Sequence, residues 1–360
     1  MENSEAAAVT TALATNGPVT GEPGKNESGK NVELAVNNEP LYVHPELLDN
    51  AERMFTKRLT SDPDNTGLLR GLAQVLRKQG KLDQAVAILE RLARLDPADE
   101  ESRYTHAILS GAEIPALSGI RPALFDLRKN FLPREFHESL HPYAVSVRDQ
   151  FMPVASNTEG EYNPNVRITL DLPGKHEFRQ RFRDCLSEIL PQVLDRLHIE
   201  PFEIADFEVK LRAYQDGHFF KAHMDCPRQK PKAANRRLSF VYFFYTHPRP
   251  YTGGDLLLFD TDVATNRFTT SKLTRVIPED NCLICFPSAY WHCVIPIGCP
   301  SAEFADSRFV INGHLHQPAP PADPAAPEGT QAAAAERNLA EPQAGEPATS
   351  EAQQTMLTTA

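Results

Sequence analysis

The chain has 360 residues, long enough for one sizeable hydrophobic core with something smaller beside it, and a formal net charge of −11. Residues 1–40 and 317–360 supply −9 of that charge, so the centre is nearly neutral and lacks the basic excess of a nucleic-acid binder. No run of about 18 apolar residues marks a membrane span, and the first residues lack the basic and apolar regions of a signal peptide.

Both ends, 1–40 and 317–360, contain no aromatic residue and are rich in Ala, Pro, Glu, Asn or Gln. Such segments cannot bury enough apolar surface to offset their ordering entropy, so both are expected to be disordered. Asp62-Pro63 and Asp96-Pro97 stand 34 residues apart, the period of a tetratricopeptide-like helix–turn–helix repeat. Leu68, Leu69, Leu72, Val75 and Leu76 recur at helical spacing; Gly80 interrupts them, and Leu82, Ala85, Val86, Leu89 and Leu92 resume the pattern. Further helices are expected over 47–59 and 100–109, giving a small all-α region at 45–112. So short an array offers no long concave groove, which leaves it as a candidate surface for a protein partner or for self-association.

From residue 120 the texture changes. Helices are expected over 133–152 and along the stripe Phe178, Phe182, Leu186, Ile189, Val193 and Leu197, where Pro191 predicts a kink or split. Val166 to Leu172 alternates as one strand. Beyond 205 the chain runs as short β segments broken by Gly, Pro, Asp and Asn, the pattern of a sandwich or barrel. Six cysteines in apolar or strand-like surroundings read as reduced thiols, which suits a cytoplasmic protein.

The chemistry concentrates in 214–225. Side chains two apart on a strand share a face, so His223 and Asp225 project together. With a distant His292 they make two histidines and one carboxylate, a set that suits non-haem Fe(II) because it leaves positions open for O2 and a cosubstrate. His-x-Asp alone is weak evidence; its context is stronger. Tyr214-Gln-Asp-Gly217-His-Phe-Phe220-Lys-Ala-His223-Met-Asp225 resembles the Tyr-x-x-Gly-x-x-aromatic-x-x-His-x-Asp pattern of prolyl 4-hydroxylase-like 2-oxoglutarate dioxygenases. The run 236–245, Gly253-Gly254-Asp255-Leu256, Phe286-Pro287-Ser288 with His292, and Arg308 to His314 resemble the family's next segments in order.

That resemblance implies an α+β fold: a double-stranded β-helix (jelly-roll) catalytic domain with packed helices over 120–316, preceded by the helical repeat. It implies Fe(II), O2 and the cosubstrate 2-oxoglutarate, with ascorbate as a further reductant. The implied reaction hydroxylates a C–H bond of a prolyl or other residue in a protein or peptide, or of an amino-acid-like small molecule, releasing succinate and CO2. His223, Asp225 and His292 are the implied metal ligands and catalytic residues. Arg308 is the implied partner of the 2-oxoglutarate carboxylate, since a guanidinium pairs a carboxylate bidentately. The alternative is a non-catalytic jelly-roll adaptor that binds proteins through the repeat.

Two departures from the family stand out. Arg308 follows His292 by sixteen positions rather than about ten, with the extra length expected as a loop at 298–306. Some relatives place a tyrosine where this chain has Phe243, so Tyr214 is the candidate to bond the cosubstrate instead. Trp291 is expected to face away from the site and pack. Cys282-x-x-Cys285 lies in an apolar strand-like run and is set aside as a metal or redox site. His314-Leu-His316, at the end of the last strand, is expected at the surface.

Overall fold

The computed structural model describes residues 19–20, 44–113, 119–154, 163–174, 176–227 and 231–319. The ends expected to be disordered fall outside these residues, save for 19–20 and 317–319.

Four helices come first: α1 (Pro45–Ser61), α2 (Thr66–Gln79), α3 (Leu82–Leu95) and α4 (Glu100–Ser110). Local chemistry sets their limits. The Asn65 side chain accepts from the Leu68 N–H to cap α2, and Asp99 does the same for Ser102 at the start of α4. Gly80 and Gly111 end α2 and α4 in the left-handed conformation that glycine adopts without strain. Leu72, Val75 and Leu76 point from α2 into a cluster with Leu48, Ala51 and Phe55 of α1.

The β-rich region comprises β1 (Asp126–Lys129), β2 (Met152–Pro153), β3 (Arg167–Ile168), β4 (Leu170–Asp171), β5 (Asp206–Tyr214), β6 (Phe219–His223), β7 (Arg236–Phe244), β8 (Thr252–Gly253), β9 (Leu256–Asp262), β10 (Arg267–Val276), β11 (Cys282–Pro287), β12 (His292–Val294), β13 (Ile297–Gly298) and β14 (Arg308–His316). One sheet has the order β1-β11-β7-β14-β5-β4-β2 and the other β10-β9-β12-β6-β3, with Val19–Thr20 paired outside β10; β13 and β8 pair separately. All pairings are antiparallel. Along the chain β5, β7, β11 and β14 belong to the first sheet, while β6, β9, β10 and β12 belong to the second. The eight strands thus wind as a double-stranded β-helix, the jelly-roll the motifs implied.

Helices α5 (Arg134–Ser146) and α6 (Glu177–Arg196) share a hydrophobic core with the first sheet, where Phe182 stacks on Phe240 with ring centroids 5.5 Å apart. Pro191 leaves α6 continuous over its 20 residues. The expected single strand at 166–172 is instead two: β3 joins the second sheet through β6, and β4 joins the first through β5. Thr169 between them marks the change of sheet.

The helical repeat covers the other sheet. Leu257, Phe259, Phe268, Leu273 and Cys293 pack in the same cluster as the apolar faces of α1 and α2. Burial of each such side chain stabilises by about 1.5–3 kcal/mol. Within this contact Arg77 of α2, 3% exposed, pairs with Asp260 of β9, 1% exposed, at 2.6 Å, and also donates to Thr274 Oγ1. No helix among the described residues is long and apolar enough to cross a membrane.

Candidate metal centre and cosubstrate pocket

His223 ends β6 and His292 begins β12, and the two are direct partners across that strand pair. Asp225 follows two residues after β6, its N–H bonded to the Ser288 carbonyl at 3.0 Å. Three side chains from separate segments therefore converge inside the barrel. Asp225 Oδ1 lies 3.5 Å from His223 Nε2, and Oδ2 lies 3.4 Å from His292 Nε2. One ligand atom from each residue fits within a 4.8 Å span, and no other group of three His, Cys, Asp or Glu among the described residues does so. A cation with bonds of ~2.1 Å holds neighbouring ligands ~3 Å apart, so the set can close on one ion with small adjustments.

The protonation pattern fits a metal. His223 Nδ1 lies 2.8 Å from the Lys221 carbonyl and His292 Nδ1 lies 3.0 Å from the Tyr290 carbonyl. A carbonyl only accepts, so each Nδ1 carries the proton and each Nε2 lone pair faces the centre. Burial pushes the pKa of His292 down to about 4, aided by His223, keeping it neutral and ready to ligate. Burial opposes ionisation of Asp225, yet His314, His292 and His223 around it hold its carboxyl well below the usual range.

A polar shell fixes Asp225. Ser239 Oγ donates to Asp225 Oδ2 at 2.7 Å, and contacts Ser288 Oγ at 2.9 Å and His314 Nδ1 at 3.1 Å. Having one hydrogen, committed to the carboxylate, Ser239 accepts from both neighbours. His314 is therefore not a surface residue: β14 carries its inward face past Arg308, Val310 and Asn312 to a buried His314, only 7% exposed. Alternation along a strand that continues to residue 316 overrides the expectation of a frayed end.

Arg308 is 1% exposed and opens β14 directly opposite Tyr214 of β5. Its guanidinium lies 4.9 Å from the Tyr214 ring centroid and 5.2 Å from that of Phe243. No carboxylate lies within ion-pair distance among the described residues, and its Nε has no hydrogen-bond partner. Nearby Asp255 is already bound by Arg275 through Nε at 2.6 Å. Burial pushes the Arg308 pKa down, while Tyr251, Tyr214 and Asp255 act in the opposite sense. A buried guanidinium without a counter-ion suits an incoming carboxylate. Gly254 makes room for it: at φ +68°, a Cβ there would sit 2.5 Å from Arg308 Cδ.

Tyr251 is the residue that sequence reasoning missed. It is buried, its hydroxyl has no hydrogen-bond partner among the described residues, and it stands in the electrostatic environment of Arg308. Its only sequence signal is a position two residues ahead of Gly253-Gly254. The extra length at 298–306 is a loop, held where the Cys299 N–H donates to Asp216 Oδ1 at 2.7 Å and ended by a short 3-10 turn at Phe304–Asp306. Trp291 faces outward as expected, stacking on Phe268 at 4.5 Å. Cys282 and Cys285 are buried, and burial pushes their thiol pKa values up, that of Cys282 to about 12. His223, Asp225, His292, Tyr214 and Arg308 together line one narrow cavity of about 40 Å³, room for only a few waters.

Residues 209–316 match the 2OG-Fe(II) oxygenase superfamily, and 46–108 match the tetratricopeptide repeat. An uncharacterised PKHD-type hydroxylase of Synechocystis sp. is 32% identical over 251 residues, covering 67% of this chain and 78% of the relative. This chain belongs to the 2OG-Fe(II) oxygenase superfamily. As a member it is a 2-oxoglutarate-dependent hydroxylase that uses Fe(II), 2-oxoglutarate and O2. Solved structures similar to this oxygenase include a prolyl-4-hydroxylase of Pseudomonas putida (TM-score 0.40, 19% identity, covering 54% of this chain and 93% of that one). Another is a prolyl hydroxylase of Trichoplax adhaerens in complex with a hypoxia inducible factor peptide fragment (TM-score 0.41, 16% identity, covering 54% and 83%).

Proposed function

We propose that His223, Asp225 and His292 hold the iron and that Arg308 holds the distal carboxylate of 2-oxoglutarate. The carrying observation is the pairing of two incomplete groups in one cavity: a ligand set with free lone pairs, and a buried guanidinium with no counter-ion. Iron supplies the site for dioxygen and for the two-electron oxidations. The reaction is R–H + 2-oxoglutarate + O2 → R–OH + succinate + CO2, in which R–OH and succinate each take one oxygen atom of O2 and CO2 is the released 1-carboxylate of 2-oxoglutarate.

The protein's part is to bind, orient and exclude water. The backbone carbonyls of Lys221 and Tyr290 fix both imidazoles in the ligating tautomer. Ser239, itself held by His314 Nδ1, donates to Asp225 Oδ2 and so leaves Oδ1 for the ion. Tyr214 braces the Arg308 guanidinium from one ring face, and Tyr251 supplies the hydroxyl that Phe243 lacks. The substrate is a prolyl or other residue of a protein or peptide, or an amino-acid-like small molecule.

The test is iron- and substrate-dependent conversion of 2-oxoglutarate to succinate by the purified protein, with mass spectrometry for a product heavier by one oxygen atom. His223→Ala is expected to abolish Fe(II) binding, and Arg308→Gln to weaken 2-oxoglutarate while sparing the metal. A His223→Ala protein that bound Fe(II) as tightly as the parent would refute the ligand assignment. A folded, iron-loaded protein that leaves 2-oxoglutarate unconverted with every substrate class would favour the adaptor.

A further inference from the structure

Arg167 of β3 and Arg212 of β5 flank a single carboxylate, Asp171 of β4. Asp171 is committed to Arg212, whose Nε donates to Oδ1 at 2.6 Å. Arg167 reaches the same oxygen only at 3.7 Å, beyond hydrogen-bonding distance. Its side chain is 7% exposed, and its Nε and Nη2 are buried with no hydrogen-bond partner among the described residues. Burial, then repulsion from Arg212, push its pKa down to about 10. Holding an under-paired guanidinium in the interior is costly, and this one sits beside the metal centre. It lies 4.7 Å from the Phe220 ring centroid, and that ring stacks on His223 at 3.6 Å.

Arg212 lines the cavity itself, as does Asn312, whose buried Oδ1 also lacks a partner. The other carboxylate acting on Arg167 is Asp225, and with a metal bound that charge belongs to the ion. Two guanidiniums then share one carboxylate, Arg212 lining the cavity and Arg167 packed behind Phe220, which leaves an excess positive charge beside the metal centre. Arg308 stands beside Gly254 and against the ring of Tyr214, which also neighbours Arg167 and Arg212.

We infer that Arg167 and Arg212 form a second anion subsite, which binds a carboxylate of the substrate beside the iron. This rests on the hydroxylase reading above and narrows its substrate class: the hydroxylated C–H belongs to a carboxylate-bearing molecule. The planar guanidinium fork favours that group because it pairs two oxygens at once. The carboxylate comes either from a free amino-acid-like acid or from an acidic residue of a peptide.

The test titrates matched pairs into the full chain loaded with Mn(II) and 2-oxoglutarate, by calorimetry. L-proline against L-prolinamide probes the free-acid source. The peptide N-acetyl-Gly-Pro-Glu-Gly-amide against its glutamine counterpart probes the peptide source. In one pair the acid is expected to bind at least about tenfold more tightly than its neutral partner. Arg167→Gln should erase that difference, and Arg167→Lys, which keeps the charge, should retain part of it. Equal binding of acid and neutral partner in both pairs overturns the inference, as does no binding at about 10 mM. So does a loss of 2-oxoglutarate affinity in Arg167→Gln as large as that in Arg308→Gln, since Arg167 would then serve the cosubstrate. If Arg308→Gln leaves 2-oxoglutarate binding unchanged, the cosubstrate assignment fails while the acid–amide comparison still stands.

Discussion

Adding one methyl group at Gly254 tests the cosubstrate pocket without removing any polar atom. Residue 254 adopts φ +68°, where a side chain costs about 1–2 kcal/mol. The new Cβ would lie 2.5 Å from Arg308 Cδ, 2.9 Å from Arg308 Nε and 3.0 Å from Ile297 Cγ1. Ordinary contact begins near 3.4 Å, so the arginine stem must shift by nearly an ångström. Arg308 is wedged between the Tyr214 and Phe243 rings and cannot swing away. A displaced guanidinium loses most of a charge-assisted hydrogen-bond pair, about 1.5–3 kcal/mol, or about 10- to 150-fold in affinity. Calorimetric titration of 2-oxoglutarate into the Mn(II)-loaded Gly254→Ala protein is expected to show that loss, with Mn(II) affinity within about twofold of the parent. A folded Gly254→Ala protein that binds 2-oxoglutarate like the parent would show that Arg308 does not grip the carboxylate.

Arg77→Ala leaves Asp260 buried without its partner and should lower stability by about 3–5 kcal/mol, read from the urea midpoint; Arg77→Leu with Asp260→Leu should recover most of it. An unchanged midpoint in the single variant would show that water reaches the pair. The metal-free protein should lose stability as pH falls below the ordinary histidine value of 6.5. His292 and His314 stay neutral in the fold down to about 4 and about 3, whereas the unfolded chain takes up those protons earlier. Denaturation at pH 7, 6 and 5 should therefore show falling midpoints, and saturating Mn(II) should steepen the acid loss; a flat profile would contradict the burial of these rings. Ser239→Ala frees Asp225 Oδ2 and should weaken Fe(II) by about 10- to 100-fold, the scale expected when a ligand's outer hydrogen bond is removed. Unaltered iron affinity in that variant would show that the backbone alone orients Asp225.

The convergence of His223 and Asp225 was legible because it depends on local alternation. His223 closes a strand whose preceding Phe220 and Gly217 carry the motif, and Asp225 follows at the spacing that keeps both side chains inward. Arg308 was legible for the same reason, despite the long 298–306 loop, because strand β14 resumes after it. Tyr251 was not: it lies outside any strand, where no periodicity says which way a side chain turns. Arg167 and Asp171 were hidden by a switch of sheets at Thr169 that the alternation of 166–172 does not announce. His314 looked like a terminal residue because its strand's length depends on pairing with β5 and β7, each more than 60 residues upstream. The jelly-roll as a class was readable from many short strands; the strand that each one joins is a long-range fact.

A helical hairpin of this kind ordinarily suggests a detachable recognition module, which could be cut away to leave a working enzyme. Here that surgery would fail. The apolar faces of α1 and α2 lie on Leu257, Phe259, Phe268 and Cys293, the backs of the strands whose fronts carry the chemistry. Cys293 is the next residue after the proposed ligand His292, so the same short strand touches the helices with one side and the candidate metal centre with the other. A fragment beginning near residue 120 would present an oily sheet face to water and aggregate, and limited proteolysis of the intact chain should not release a soluble catalytic piece. In this architecture the repeat is the missing outer layer of the barrel.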